Sequence, residues 1–191
     1  MKIKILLPLC LVCLLISCTP VTTLEKTWTD PSLTPETVKA YTKILVVASV
    51  RDESSKRIAE DKIVAALEPG LGVQSYNYLL PSDTNDTRLD AKLKKDGFDG
   101  ILLMRLNAVD KSVSYNEGTG YGGWYGYRYS TPGYYSEDKN YIVETNLYSI
   151  QSNKLVWSAT TSSMNPTKLD PTLDAINAAD KAQLFKQGLI K

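Results

Sequence analysis

Two short aliphatic runs, KILVVAS at 43–49 and ILLMRL at 101–106, constrain the fold of this chain more than any other feature. Each is too short for a core helix and too continuous for a strand with one wet face. Such runs suit central strands covered on both sides. Between them lie helical patterns. Ser54 or Ser55 is placed to cap a helix running to about Glu68, with Ala59, Ile63, Ala66 and Leu67 on one face and Pro69-Gly70 as the stop. Val73 to Leu80 reads as a second strand, with Tyr76 and Tyr78 on one face. Thr87 opens a second helix, in which Leu89 and Leu93 form the buried stripe and Gly97 fits the left-handed closing position.

The ILLMRL strand is expected to continue, in a more exposed form, to about Tyr115. Further on, Tyr141, Val143, Thr145 and Leu147 alternate on one face of a strand ending near Ile150. The turn Gln151-Ser152-Asn153 joins it to 154–162 as an antiparallel hairpin. Asp170-Pro171 announces a final helix through Phe185, whose stripe of Leu173, Ile176 and Leu184 is weak. The order β-α-β-α-β-β-β-α predicts a single α/β domain. Its mixed parallel and antiparallel sheet has helices packed on it, and right-handed crossovers serve the parallel part.

Composition removes several function classes. There is no histidine, which excludes Ser-His-Asp and Cys-His catalysis and histidine-bound zinc. Twenty-two basic residues stand against 21 acidic ones, a balance that does not suggest a nucleic-acid binder, which needs a basic face. No cofactor motif is present.

The first residues have their own logic. Lys2 and Lys4 precede an apolar run from Ile5 to Ile16, about a dozen residues, which is short of the roughly 20 a membrane-spanning helix requires. Leu15-Ile16-Ser17-Cys18 then resembles the lipobox of bacterial lipoproteins. The resemblance implies that residues 1–17 are a signal peptide, cut after Ser17, and that Cys18 carries a diacylglycerol. Two or more acyl chains anchor a protein durably. Thr19, where retention at the inner membrane favours Asp, implies by the same resemblance that the outer membrane is the destination. Cys10 and Cys13 lie in the signal, so the mature chain makes no internal disulfide and stands on its hydrophobic core. Residues 18–36, broken by Asp30-Pro31 and Thr34-Pro35, are expected to tether the lipid to a domain spanning 37–191, with Trp28 a candidate to dock on it.

Trp28-Thr29-Asp30-Pro31, Lys43-Ile44-Leu45-Val46-Val47 and Lys154-Leu155-Val156-Trp157 resemble a family of small Gram-negative envelope lipoproteins of unknown function. The element order is similar to that of the TolB amino-terminal domain, the curli-secretion lipoprotein and the lipoprotein activator of penicillin-binding proteins. These resemblances imply an assembly or docking role in the envelope, and they bring no catalytic residues.

One segment, 116–138, differs from the rest. Between Tyr115 and Tyr135 lie seven of the twelve tyrosines and six of the eleven glycines. In an extended chain Tyr121, Tyr125, Tyr127 and Tyr129 share one face, with Trp124 and Arg128 on the other and Tyr134 and Tyr135 beyond Pro132-Gly133. Three readings stand. The rings pack on their own sheet with wet hydroxyls. Alternatively they form a recognition surface for an envelope protein or peptidoglycan, since tyrosine offers rigid contact area at low entropic cost. The third reading, a membrane-inserted hairpin, suits the segment least, because it lacks an aliphatic band and contains Arg128.

Other polar features have plainer expectations. Asp96 and Asp99 flank Gly97 but supply too few oxygens for calcium. Arg105 either pairs with Glu144 or reaches solvent at a strand end, and Lys92, Lys94 and Lys95 make a solvated face. The sequence therefore points to a non-enzymatic, lipid-anchored periplasmic protein that binds another envelope component. Its rivals are a self-assembling subunit of a secretion or cell-wall machinery and a hydrolase working with two carboxylates about 5–5.5 Å apart.

Overall fold

The computed structural model describes residues 21–80, 86–116 and 134–191. KILVVAS supplies β2 (Ile44–Ser49), which lies parallel to both neighbours, β3 (Gly72–Gln74) and β4 (Gly100–Asn116). Its alternate side chains Ile44, Val46 and Ala48 join the larger core cluster, which also takes in residues of α1 (Glu53–Ala66) and α4 (Leu169–Lys186). Leu45 faces the other way and clusters with Phe98 and with Leu93 of α3 (Asp86–Lys95). Helices cover both faces of this strand, as a continuous aliphatic run requires. The antiparallel half adds β5 (Tyr134–Ser149), β6 (Lys154–Met164) and β1 (Val21–Thr29), giving a six-stranded sheet of order β1-β6-β5-β4-β2-β3. The predicted fold class, one α/β domain with a mixed sheet, is the observed one.

Three local expectations are corrected. α1 is capped by Asp52 rather than by Ser54 or Ser55, its carboxylate accepting the Ser55 amide at 2.7 Å. In α4, Asp170 and Pro171 fall inside the first turn, where a missing amide donor costs nothing, and Lys168 is the cap residue. The strand expected over Val73–Leu80 stops at Gln74 and gives way to a single helical turn, α2 (Ser75–Tyr78). Glu60 is the cause. Fully buried on α1, it accepts hydrogen bonds from Ser75 Oγ at 2.6 Å, the Tyr76 amide at 3.1 Å and the Ala48 amide at 3.1 Å. The carboxylate thus takes the place of a longer β3 on that edge of β2 and turns the chain away.

The expected tether over 18–36 is corrected as well. Residues 21–29 are β1, paired with β6 from Val21↔Met164 to Thr29↔Trp157. Leu24 packs on the core, the Thr22 and Ser163 hydroxyls are 2.9 Å apart, and Trp28 remains about half-exposed. After β1 the chain stays on the domain. Asp30 donates its amide to Val156 at 2.9 Å, and Leu33, Val38 and Tyr41 pack against the core. An edge strand takes its stabilisation from backbone pairing, which a Thr-rich sequence provides as well as any.

Gly97, as expected, sits at positive φ (78°) after α3. Gly100 is needed for space, since a β-carbon there would lie 2.7 Å from the Tyr41 ring.

The strands β4 and β5 are 17 and 16 residues long, far longer than their neighbours need. β2 accompanies β4 only as far as Arg105, and β6 accompanies β5 only to Asn140. Beyond that level the pairs Lys111↔Lys139 through Asn116↔Tyr134 form a two-stranded ribbon with no third strand among the described residues. At about 3.4 Å per residue it extends roughly 20 Å past the sheet. A register shift between Leu106 and Ala108 marks its base.

Candidate functional site

One end of the sheet gathers the carboxyl end of β2, the middle of β4, the first turns of α1 and α4, the start of β1 and the base of the ribbon. A groove of about 820 Å³ opens there. Leu106 and Val109 of β4 and Tyr141 and Val143 of β5 line one side, and Leu169, Leu173 and Ile176 of α4 line it as well. Val50, Arg51 and Lys168 also line it. A concave, mostly apolar groove with a few polar groups is the ordinary form of a binding site, and its place beyond the carboxyl ends of parallel strands is where open α/β sheets bind ligands.

Among the described lining residues Asp52 is the single carboxylate. Its hydrogen bonds with Ser55 hold its pKa below the usual carboxylate value, and they occupy it as a helix cap. The groove therefore lacks the facing carboxylate pair that histidine-free glycoside hydrolysis needs.

The candidate contact residues divide. Tyr121, Trp124, Tyr125, Tyr127, Arg128 and Tyr129 lie outside the described residues, as does Cys18. Tyr134 and Tyr135 begin β5, opposite Asn116 and Tyr115. The chain therefore enters and leaves the glycine-tyrosine segment at the far end of the ribbon.

Elsewhere the polar candidates have structural partners. Asp99 accepts from the Thr42 amide and hydroxyl, both at 2.7 Å, and from the Lys43 amide at 3.0 Å. Asp96 accepts from the Tyr78 hydroxyl at 2.7 Å. No group of three or more metal-ligating side chains occurs among the described residues. Lys92 lies 4.5 Å over the Tyr78 ring, so the basic face of α3 is not merely solvated. Arg105 both reaches solvent and pairs across the strands with Glu144, at 2.8 Å. The Asn146 amide and Arg105 together hold the Glu144 carboxyl below the usual range.

The weak stripe of α4 has a cause. Asn177 and Asp180 occupy two of its buried positions, alongside Leu173, Ile176 and Leu184. Asp180 Oδ1 and Oδ2, Asn177 Nδ2 and Thr145 Oγ1 make no hydrogen bond within the protein. Burial pushes the Asp180 carboxyl up to about 6, with the nearby Thr145 hydroxyl pulling the other way. The adjoining cavity, about 10 Å³, is too small for any ligand larger than water. Sequence reasoning missed this cluster, and the broken stripe was its signal.

No helix among the described residues is long and apolar enough to cross a membrane. No family model matches the sequence, and no curated protein matches it. Several solved structures are similar. The PelC dodecamer from Paraburkholderia phytofirmans is 13% identical with a TM-score of 0.45, covering 90% of this chain and 100% of that one. Lipoprotein GNA1162 from Neisseria meningitidis is 14% identical with a TM-score of 0.41, covering 76% of this chain and 99% of that one. TolB from Acinetobacter baumannii is 12% identical with a TM-score of 0.38, covering 87% of this chain and 31% of that one. At such identities and scores these likenesses assign neither ligand nor activity to the chain.

Proposed function

We propose that this protein is a lipid-anchored, non-enzymatic component of the bacterial cell envelope, attached on the periplasmic side through Cys18, with the outer membrane as its destination. It binds another envelope component, a protein or peptidoglycan, through Tyr121, Trp124, Tyr125, Tyr127, Arg128, Tyr129, Tyr134 and Tyr135. The observation that carries this reading is the ribbon. It brings the two ends of the glycine-tyrosine segment, Asn116 and Tyr134, roughly 20 Å beyond the sheet. Ends set so far from the core favour partner contact over packing on the chain's own sheet.

The free edges of the ribbon favour a second reading. The β4 edge past Arg105 and the β5 edge before Lys139, whose own amide and carbonyl are taken by Asn165, present backbone groups with no neighbouring strand among the described residues. Such edges invite pairing with another copy. Light scattering on the unlipidated domain separates the two: a monomer supports the adaptor, and a discrete oligomer supports the self-assembling subunit.

Two variants test the main reading. Cys18→Ser should release the protein from membrane fractions. Tyr125→Ser, Tyr127→Ser and Tyr129→Ser together should abolish partner crosslinking in intact cells while leaving the unfolding midpoint unchanged. Undiminished crosslinking would refute the aromatic surface.

A further inference from the structure

We infer that the groove is a peptide site. It takes the apolar carboxyl-terminal segment of another envelope protein, which adds to the free edge of β4 as an antiparallel strand and sets its terminal carboxylate beside Arg51. This contact lies apart from the aromatic segment and goes beyond the function proposed above.

The first argument is an open place in the sheet. β2 accompanies β4 as far as Ser49↔Arg105 and then leaves the sheet through Val50, Arg51 and Asp52 into α1. From Leu106 onward no strand borders β4 on that side among the described residues. The register shift after Leu106 marks the boundary, and regular pairing with β5 resumes at Ala108↔Ile142. A strand laid along 108–113 would prolong the line of β2. Exposed edges of this kind accept extended peptides through main-chain hydrogen bonds.

The second argument is a pocket on one side of that edge. Met104, Leu106 and Val109 lie opposite Thr145, Val143 and Tyr141, so all six share the face that carries the larger core cluster. On that face Leu106 and Val109 remain 44% and 38% exposed, as does Leu169 of α4 at 46%, and all three line the groove. Every second side chain of an added strand would enter the groove, and the others would stay in water.

Charge selects the ligand's end group. Arg51 and Lys168 line the groove, and neither side chain forms an ion pair among the described residues. The single lining carboxylate, Asp52, is committed to the Ser55 amide, and Asp170 approaches Lys62 at 3.9 Å. α1 and α4 both begin at the groove, α4 without a side-chain cap, so their positive ends add to the two cations. Apolar walls with an unanswered positive end are complementary to an apolar body bearing a carboxylate. β4 runs outward from Gly100, so an antiparallel strand runs inward and brings its last residue to the 50–52 loop. A second copy supplies no such end, because its Leu189 and Ile190 are held in the core at 1% and 2% exposure. A free fatty acid would match walls and charge but leave the β4 edge unpaired.

The test uses the full chain in phosphatidylcholine nanodiscs and the fluorescent heptapeptide KTVTVTV, whose valines share one side and whose carboxylate is free. The acid should bind saturably, and its carboxyl-terminal amide at least about tenfold more weakly. Arg51→Gln should weaken the acid several-fold and leave the amide unchanged. Val109→Glu should abolish binding of both without moving the unfolding midpoint. Hydrogen exchange over 106–113 should slow when the acid binds. The variant carrying Tyr125→Ser, Tyr127→Ser and Tyr129→Ser should bind the peptide as the wild type does, so either contact can fail while the other stands. Absent binding, equal binding of acid and amide, unslowed exchange along β4, or loss of binding in the tyrosine variant overturns the inference. Oleate binding that Arg51→Gln weakens, with no peptide binding, overturns it in favour of a fatty acid. A β4 edge already protected without peptide, in an oligomer seen by light scattering, overturns it in favour of a second copy.

Discussion

The two ends of the sheet are built differently. At the end where β2 and β4 begin, polar groups are matched to partners. Asp99 collects three donors from Thr42 and Lys43, the Lys43 ammonium lies 4.4 Å over the Phe98 ring, and the Tyr41 ring fills the space that Gly100 leaves. Trp157 and Leu147, both at 0% exposure, face each other across β6 and β5 nearby. At the other end two strands run on with no third strand beside them among the described residues, and six large apolar side chains stand in solvent. Satisfied hydrogen bonds and dense packing stabilise the first end. The second leaves apolar surface and free backbone available for contact.

The contrast can be broken by experiment. Trp157→Ala should cost about 3–5 kcal/mol in denaturant unfolding, because it empties a fully buried site. Val113→Ser, at the open end, should stay within about 0.5 kcal/mol. Comparable losses at the two positions would erase the distinction.

Glu60→Ala should cost about 2–3 kcal/mol in the same measurement, since it strands the Ala48 and Tyr76 amides and the Ser75 hydroxyl.

Asp180 gives a smaller effect with a defined sign. Its carboxyl titrates near 6 in the folded protein and near 3.8 when unfolded, so the folded state binds the extra proton between those values. Stability should therefore rise as pH falls from 7 toward 5, by about 1–2 kcal/mol. Asp180→Asn should flatten that dependence. A wild-type unfolding free energy that falls steadily from pH 7 to 5 would count against the burial of Asp180.

Arg105→Ala should cost less than about 1 kcal/mol, because its pair with Glu144 is half-exposed on the arginine side.

Legibility followed locality. KILVVAS and ILLMRL declared themselves because both faces of their strands are covered, and the 141–162 hairpin because one face is. β1 stayed hidden because Val21–Thr29 is an edge strand of threonines and charges in which Leu24 is the main apolar contact. Its partner lies far along the chain. The truncation of β3 was equally invisible, since Glu60 imposes it from another element. Of the candidate site, the sequence named Cys18 and the aromatic segment, of which Tyr134 and Tyr135 alone fall among the described residues. The groove arises only when β2, β4, β5 and α4 meet, and no local pattern encodes that meeting.

β1 also bears on when the domain is finished. Thr22 and Ser163, bonded through their hydroxyls, are separated by 141 positions. A contact of such sequence separation pays a large loop-closure entropy and forms late. The strand nearest the amino terminus must wait for one near the carboxyl terminus before it finds its place in the sheet. Completion of the fold is thereby deferred until almost the whole chain is present, and this edge strand is the final piece to set.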